Sequence, residues 1–161
     1  METLIGLDLG EKRTGVALAV DGRVVKAGTA TSPTEEELAG EIAQLVLSAL
    51  RAEYPFEQDH PESFPEARNR YGITRLVVGL PLTPTGREGT RASQVRQRAE
   101  EIALRLGLEV VFVDERFTTR AVEAHRRASA LPGKPSKLDL DQEVAAELLR
   151  SYLARREVVE G

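Results

Sequence analysis

Asp21-Gly22 separates two short apolar runs, Gly15-Val16-Ala17-Leu18-Ala19-Val20 and Arg23-Val24-Val25-Lys26-Ala27. A tight hairpin turn needs φ > 0 at its central residues, which Asp and Gly tolerate, so this pair commits the start of the chain to an antiparallel hairpin. Thr3–Leu9 precedes it and reads as a buried strand, completing a three-strand meander. Beyond the meander the pattern changes period. Thr34 and Glu37 fit a capping box, and Leu38, Ile42, Leu45, Val46 and Ala49 recur at helical spacing. Residues from about 54 to 71 hold Pro55, Pro61 and Pro65 among acids and read as an exposed loop insertion. Ile73–Gly79 reads as a strand and Leu80–Gly89 as a loop. A helix carrying Val95, Ala99, Ile102, Ala103 and Leu106 follows, ending near Gly107, and then strand Glu109–Val113. A helix over about Thr119–Ala130, a linker Leu131–Lys137 and a last helix with Val144, Ala145, Leu148, Leu149 and Tyr152 on one face complete the chain. This order predicts an α/β fold: a five-stranded mixed sheet, an antiparallel meander followed by parallel strands, flanked by helices on both faces.

A chain of 161 residues is expected to form a single domain over 1–161. It contains no Cys, and its only histidines are His60 and His125, which excludes disulfides, thiolate chemistry and a His-rich zinc site. No apolar run approaches the ~20 residues of a membrane span. The N-terminus, Met1-Glu2-Thr3-Leu4-Ile5, lacks a basic n-region, which reads as no signal peptide and a cytoplasmic protein. Net charge is -4, but unevenly spread: residues 32–66 hold nine acids against Arg51, so the rest of the chain is net basic. That asymmetry points to a basic face for a polyanion.

Asp8 interrupts an apolar strand. An unpaired carboxylate there would cost several kcal/mol or lose its charge. It either caps a loop or pairs with Lys12 or Arg13, or it belongs to a metal or phosphate site. Glu115 follows a strand, where sites form in open α/β sheets, and could equally pair with Arg116. Asp139 and Asp141 open the last helix. One of them serves as a cap, and we assign that role to Asp139 and a functional one to Asp141, with Glu143 a further candidate. Carboxylates from two strand ends and a helix start can meet at one sheet edge, where hard oxygen donors suit Mg²⁺ or Mn²⁺. Two ions about 3.5–4 Å apart can activate water and stabilise a leaving phosphodiester oxygen without a protein nucleophile.

Basic residues surround these acids: Lys12 and Arg13 beside Asp8, Arg87 and Arg91 on the loop after strand 73–79, and Arg116 and Arg120 after the last strand. They are candidates for phosphate contacts, with Arg87 and Arg91 on a loop expected to move over a substrate. Further arginines and lysines, Arg96, Arg98, Arg126, Arg127, Lys134 and Lys137, either extend this face or only solvate it. Aromatic residues are 4%, too few for a base-stacking platform.

Four blocks resemble one known family. Gly6-Leu7-Asp8-Leu9-Gly10-Glu11-Lys12-Arg13-Thr14-Gly15-Val16-Ala17 is similar to the opening signature of the YqgF family, described as pre-16S rRNA nucleases or Holliday junction resolvase-like proteins. Val78-Gly79-Leu80-Pro81, Val113-Asp114-Glu115-Arg116-Phe117-Thr118-Thr119, and Asp141 with Ala145 and Leu148-Leu149 follow in the family's order. The resemblance implies a ribonuclease H-like fold related to RuvC-type resolvases, with Asp8, Glu115 and Asp141 as catalytic, metal-holding carboxylates. It implies cleavage of phosphodiester bonds in structured nucleic acid: trimming the 5′ end of pre-16S rRNA, or cutting branched DNA. The chain departs from the pattern in a longer stretch around Tyr54–Arg70. Gly79 also stands where the wider superfamily often places an acid. The expected partner is nucleic acid, with no membrane, and the chain a monomer or homodimer.

Two other classes share features with this sequence. Asp8-Leu9-Gly10 resembles the first phosphate motif of actin-like ATPases, but a second phosphate loop is missing. A non-catalytic nucleic-acid-binding factor with a nuclease-like fold is the alternative that the departure at Gly79 suggests.

Overall fold

The computed structural model describes residues 1–116 and 137–160. Its strands are β1 (Thr3–Leu9), β2 (Thr14–Val20), β3 (Arg23–Ala30), β4 (Ile73–Leu80) and β5 (Glu109–Asp114). Its helices are α1 (Glu35–Glu53), α2 (Phe64–Tyr71), α3 (Thr90–Leu106) and α4 (Lys137–Glu160). The expected helix over 119–130 and the linker over 131–136 lie outside the described residues. No helix among them is long and apolar enough to cross a membrane.

The five strands form one sheet in the order β3-β2-β1-β4-β5. β1 pairs antiparallel with β2, and β2 with β3, whereas β1–β4 and β4–β5 are parallel. Asp21 and Gly22 turn the hairpin with φ of 47° and 84°, the positive pair that the sequence demanded.

Each face of the sheet carries its own core. Ile5, Leu7, Val16, Leu18, Leu76 and Val78 pack against α1, α2 and α3. Leu4, Ala17, Ala19, Val77 and Val113 face α4 through Ala145, Ala146, Leu148 and Leu149. The alternation along β1 and β4 follows the period of two and places Asp8, Gly6 and Gly79 on the α4 side. Small residues on that face let α4 settle almost onto the backbone: a Cβ on Gly6 would lie 2.7 Å from the Ala145 carbonyl oxygen.

The expected loop insertion over 54–71 needs correction. Residues 64–71 are a helix. Ser63 caps it by accepting from the Glu66 N–H, Pro65 occupies its first turn, where its missing N–H costs nothing, and Gly72 ends it with φ 61°. Phe64, Ala67 and Tyr71 are buried beneath it. Thr34 caps α1 as expected, accepting from the Glu37 N–H at 3.2 Å.

Candidate nuclease site

Three acids lie at the carboxyl edge of the central strands. Asp8 stands near the end of β1 and faces α4. Leu7 pairs with Val78, so Asp8 lies level with Gly79 of β4. Gly79 pairs in turn with Val113 of β5, and Glu115 stands two residues beyond on the same face. The strand between the two acids therefore carries no side chain at this level. A Cβ on Gly79 would lie 3.4 Å from the Glu115 Cβ and 3.1 Å from Leu148. Through that gap the side chains of Asp8 and Glu115 share a hydrogen bond.

The electrostatic consequence falls on Asp8. Burial first, then the hydrogen bond to Glu115, then the negative charges of Glu115 and Asp141 push its carboxyl up to about 8, against the pull of Arg91. A buried carboxyl beside a second carboxylate cannot ionise cheaply until a cation balances the pair.

Asp141 contributes its field but is tied elsewhere. Arg13 Nε donates to Asp141 Oδ2 at 2.8 Å. Among the described residues no three His, Cys, Asp or Glu side chains are gathered to hold a metal ion. The three-acid cluster expected from sequence is thus two acids in hydrogen-bond contact, with a third close enough to act on Asp8 while held by Arg13. The backbone beneath Asp141 is fixed by close approach: a Cβ on Gly15 would lie 2.0 Å from the Asp141 carbonyl oxygen. Asp139 does not cap α4. The helix begins at Lys137, and Asp139 lies exposed within its first turn, where a negative charge suits the helix dipole. Glu143 pairs with Lys26 of β3, away from the acid pair.

The basic residues divide into two groups. Arg116 pairs with Asp114. Its Nε and Nη2 grip Asp114 at 2.7–3.1 Å, and its Nη1 donates to the carbonyls of Thr83 and Pro84. Arg116 thereby pins the turn before α3, which is also closed internally by Thr83 N–H to the Arg87 carbonyl at 2.9 Å and Arg87 N–H to Thr83 Oγ1 at 3.1 Å. That turn is a hydrogen-bonded unit, and Arg91, expected on the same loop, lies beyond it in α3. Arg96 is spent on Glu88 and on the face of Phe112, 4.5 Å from the ring centre. Lys12, Arg87 and Arg91 are exposed around the acid edge. Arg120 lies outside the described residues.

Sequence reasoning named Arg91 and Arg98 only as part of a basic face and missed the cavity they border with Gln94 and Gln97. Arg98 of α3 donates through Nε to Glu35 at 3.0 Å and through Nη1 to the Gly10 carbonyl at 2.9 Å. Next to it lies a cavity of about 360 Å³ lined by Leu9, Glu11, Arg91, Gln94, Val95 and Gln97, among others. The only hint of it in the sequence was the helical spacing of Arg91, Gln94 and Arg98.

A β3-β2-β1-β4-β5 mixed sheet with helices on both faces and acids at the ends of β1 and β5 defines the ribonuclease H-like class. The family model described as "RuvX: Holliday junction resolvase" matches residues 42–155. A protein of Chloroflexus aggregans described as "Putative pre-16S rRNA nuclease" is 32% identical over 158 residues, 96% of this chain and 95% of its own length. One of Anaeromyxobacter sp. (strain K) with the same description is 33% identical over 97% of this chain and 98% of its own. Among solved structures, T. thermophilus RuvC in complex with a Holliday junction substrate aligns over 97% of this chain and 96% of its own, at 16% identity and a TM-score of 0.49. The chain belongs to the RuvX family, also called YqgF.

Proposed function

We propose that this protein is a divalent-metal-dependent nuclease that hydrolyses phosphodiester bonds in structured nucleic acid, with the 5′ end of pre-16S rRNA or a branched DNA as substrate and Mg²⁺ or Mn²⁺ as the ion. The observation that carries the reading is the Asp8–Glu115 contact: two acids forced together at a strand edge, one of them held protonated near neutral pH. Such a pair costs stability unless a cation uses it. The donor set fits the ion, being hard oxygens with no competing nitrogen or sulfur. Asp8 and Glu115 would hold it, with Asp141 as the third carboxylate.

A divalent cation bound there supplies a polarised water and screens the phosphate's charge. The remaining work falls to the chain itself. Arg91, whose charge already acts on Asp8, binds the phosphate that approaches the pair. Arg87, Lys12 and, outside the described residues, Arg120 add sequence-independent backbone contacts. Arg13 acts on the substrate only through Asp141, which it orients, and Arg116 acts by holding the turn that carries Arg87.

The test is a side-by-side cleavage assay on precursor rRNA and four-way junctions with Mg²⁺ or Mn²⁺, repeated with Asp8→Asn. The expected result is cleavage of at least one substrate, lost in the variant while nucleic-acid binding remains. A purified protein that binds these substrates but cuts neither with either ion overturns the proposal.

A further inference from the structure

The cavity beside the acid pair is separate from the acids yet shares Arg91 with them. It opens on the other face of the sheet edge, between the β1–β2 turn and the first turns of α1 and α3. Its volume of about 360 Å³ is at the small end of the range for ligand clefts. Leu9 and Val95, both buried, form an apolar floor, and Pro33 lies on the α1 side. Gln94 and Gln97 are exposed, and neither side-chain amide has a hydrogen-bond partner among the described residues. The Arg98 guanidinium is pinned by Glu35 and the Gly10 carbonyl, which fixes its plane in advance.

Those features discriminate between ligands. A phosphate group would meet two carboxylates, Glu11 and Glu35, of which only Glu35 is neutralised by a partner. A nucleobase suits the cavity better. Its faces are apolar and can stack on a fixed guanidinium, while its edge alternates donors and acceptors that two amides can match. Glu11 can only accept, which favours a base with an exocyclic amino group. Arg91, at the boundary, would then hold the phosphate between that base and the acid pair.

We infer that this cavity seats one unpaired nucleobase flanking the scissile phosphate, so that the preferred substrates carry an unstacked nucleotide at the cut rather than continuous duplex. The inference rests on the nucleic-acid reading proposed above. A base reaches such a cavity only when it is already out of the stack, since otherwise unstacking costs a few kcal/mol.

The experiment measures binding by fluorescence anisotropy in EDTA, so that no cleavage intervenes. Three RNA duplexes are compared: one with a single bulged adenosine, one with an abasic residue in the bulge, and one fully paired. Wild type is expected to bind the adenosine bulge about 10-fold more tightly than the abasic one, the worth of two or so amide hydrogen bonds. Gln94→Ala/Gln97→Ala should reduce that ratio to about 2-fold or less and leave affinity for the paired duplex unchanged. Both are exposed helix positions where Ala leaves the fold intact. As a second readout, 2-aminopurine in the bulge should change its fluorescence on binding wild type but much less on binding the double variant. Equal affinity for the adenosine and abasic bulges, a preference that survives in the double variant, or no binding of any duplex overturns the inference. Failure of the nuclease reading looks different: no cleavage with Mg²⁺ or Mn²⁺, with the base preference in EDTA still present.

Discussion

Asp8→Asn should make the metal-free protein more stable at pH 8 while abolishing cleavage. The Asp8 carboxyl stands at about 8 in the fold against an ordinary value of 3.8, because of burial first and then its contacts with Glu115 and Asp141. A folded-state pKa above the unfolded one means that the native state holds the extra proton. The stabilisation is therefore complete below about pH 4 and drains away as pH rises towards 8. The slope for one proton is about 1.4 kcal/mol per pH unit, so three units, from pH 5 to 8, would remove about 4 kcal/mol in a rigid site. Arg91 is exposed and can swing closer to the ionised pair, and water can enter at the strand edge; we halve the figure to about 2 kcal/mol. Asn cannot ionise, and its amide can donate to Glu115 in place of the carboxyl proton. The assay is urea unfolding of both proteins in chelator at pH 5, 6.5 and 8. The variant's lead over the wild type should widen by about 2 kcal/mol between pH 5 and pH 8. Millimolar Mg²⁺ should then restore the wild type selectively, because a ligand that binds only the native state stabilises it. Parallel pH profiles, or a variant weaker at pH 8, would refute the claim that the acid pair is strained.

Four further outcomes follow from the geometry. Gly15→Ala places a methyl 2.0 Å from the Asp141 carbonyl oxygen, a backbone atom that cannot step aside; it should cost about 3 kcal/mol in thermal unfolding. Gly22→Ala, with φ 84° but open space around it, should cost about 1 kcal/mol. Arg91→Ala should weaken binding to all sequences alike and lower the slope of log K against log salt by about 1, read from anisotropy titrations at several salt concentrations; a sequence-selective loss would contradict a phosphate contact. Arg116→Ala should speed amide exchange at Gly86 and Arg87, whose N–H groups bond within the pinned turn, while exchange in β1 and β2 stays unchanged.

Local chemistry made much of this fold legible. Asp21-Gly22 declared the hairpin, Thr34 declared the start of α1, and Gly107 declared the end of α3, because each acts within a few residues of itself. α2 was missed because three prolines outweighed a cap signal, Ser63-Phe64-Pro65-Glu66 ending at Gly72, that is in fact a well-formed helix start and stop. The acids themselves stood out, since Asp8 violates the pattern of its strand. Their partners did not. Arg13 is five residues from Asp8 yet bonds Asp141, 128 positions away, and Arg116 bonds Asp114. Those choices depend on where α4 lands and on which face β5 turns each acid to. Periodicity gives the facing; it does not give the distance between elements.

Gly79 shows why the site needs the whole fold. An acid on β4 would supply a carboxylate directly. This chain instead leaves that place empty, so that Glu115 can reach across from the end of β5 to Asp8 on β1. The arrangement works only with α4 pressed onto the same face, where Leu148 lies against Gly79 and the backbone of Asp141 against Gly15. Removing side chains from the sheet at Gly6, Gly15 and Gly79 thus does two things at once: it lets the helix dock closely, and it brings the three acids within each other's electrostatic reach. Among the described residues, the core on that face is the smaller of the two. A cation that relieves the Asp8–Glu115 repulsion would consequently also favour the docked helix, so metal binding and protection of α4 from amide exchange should rise together.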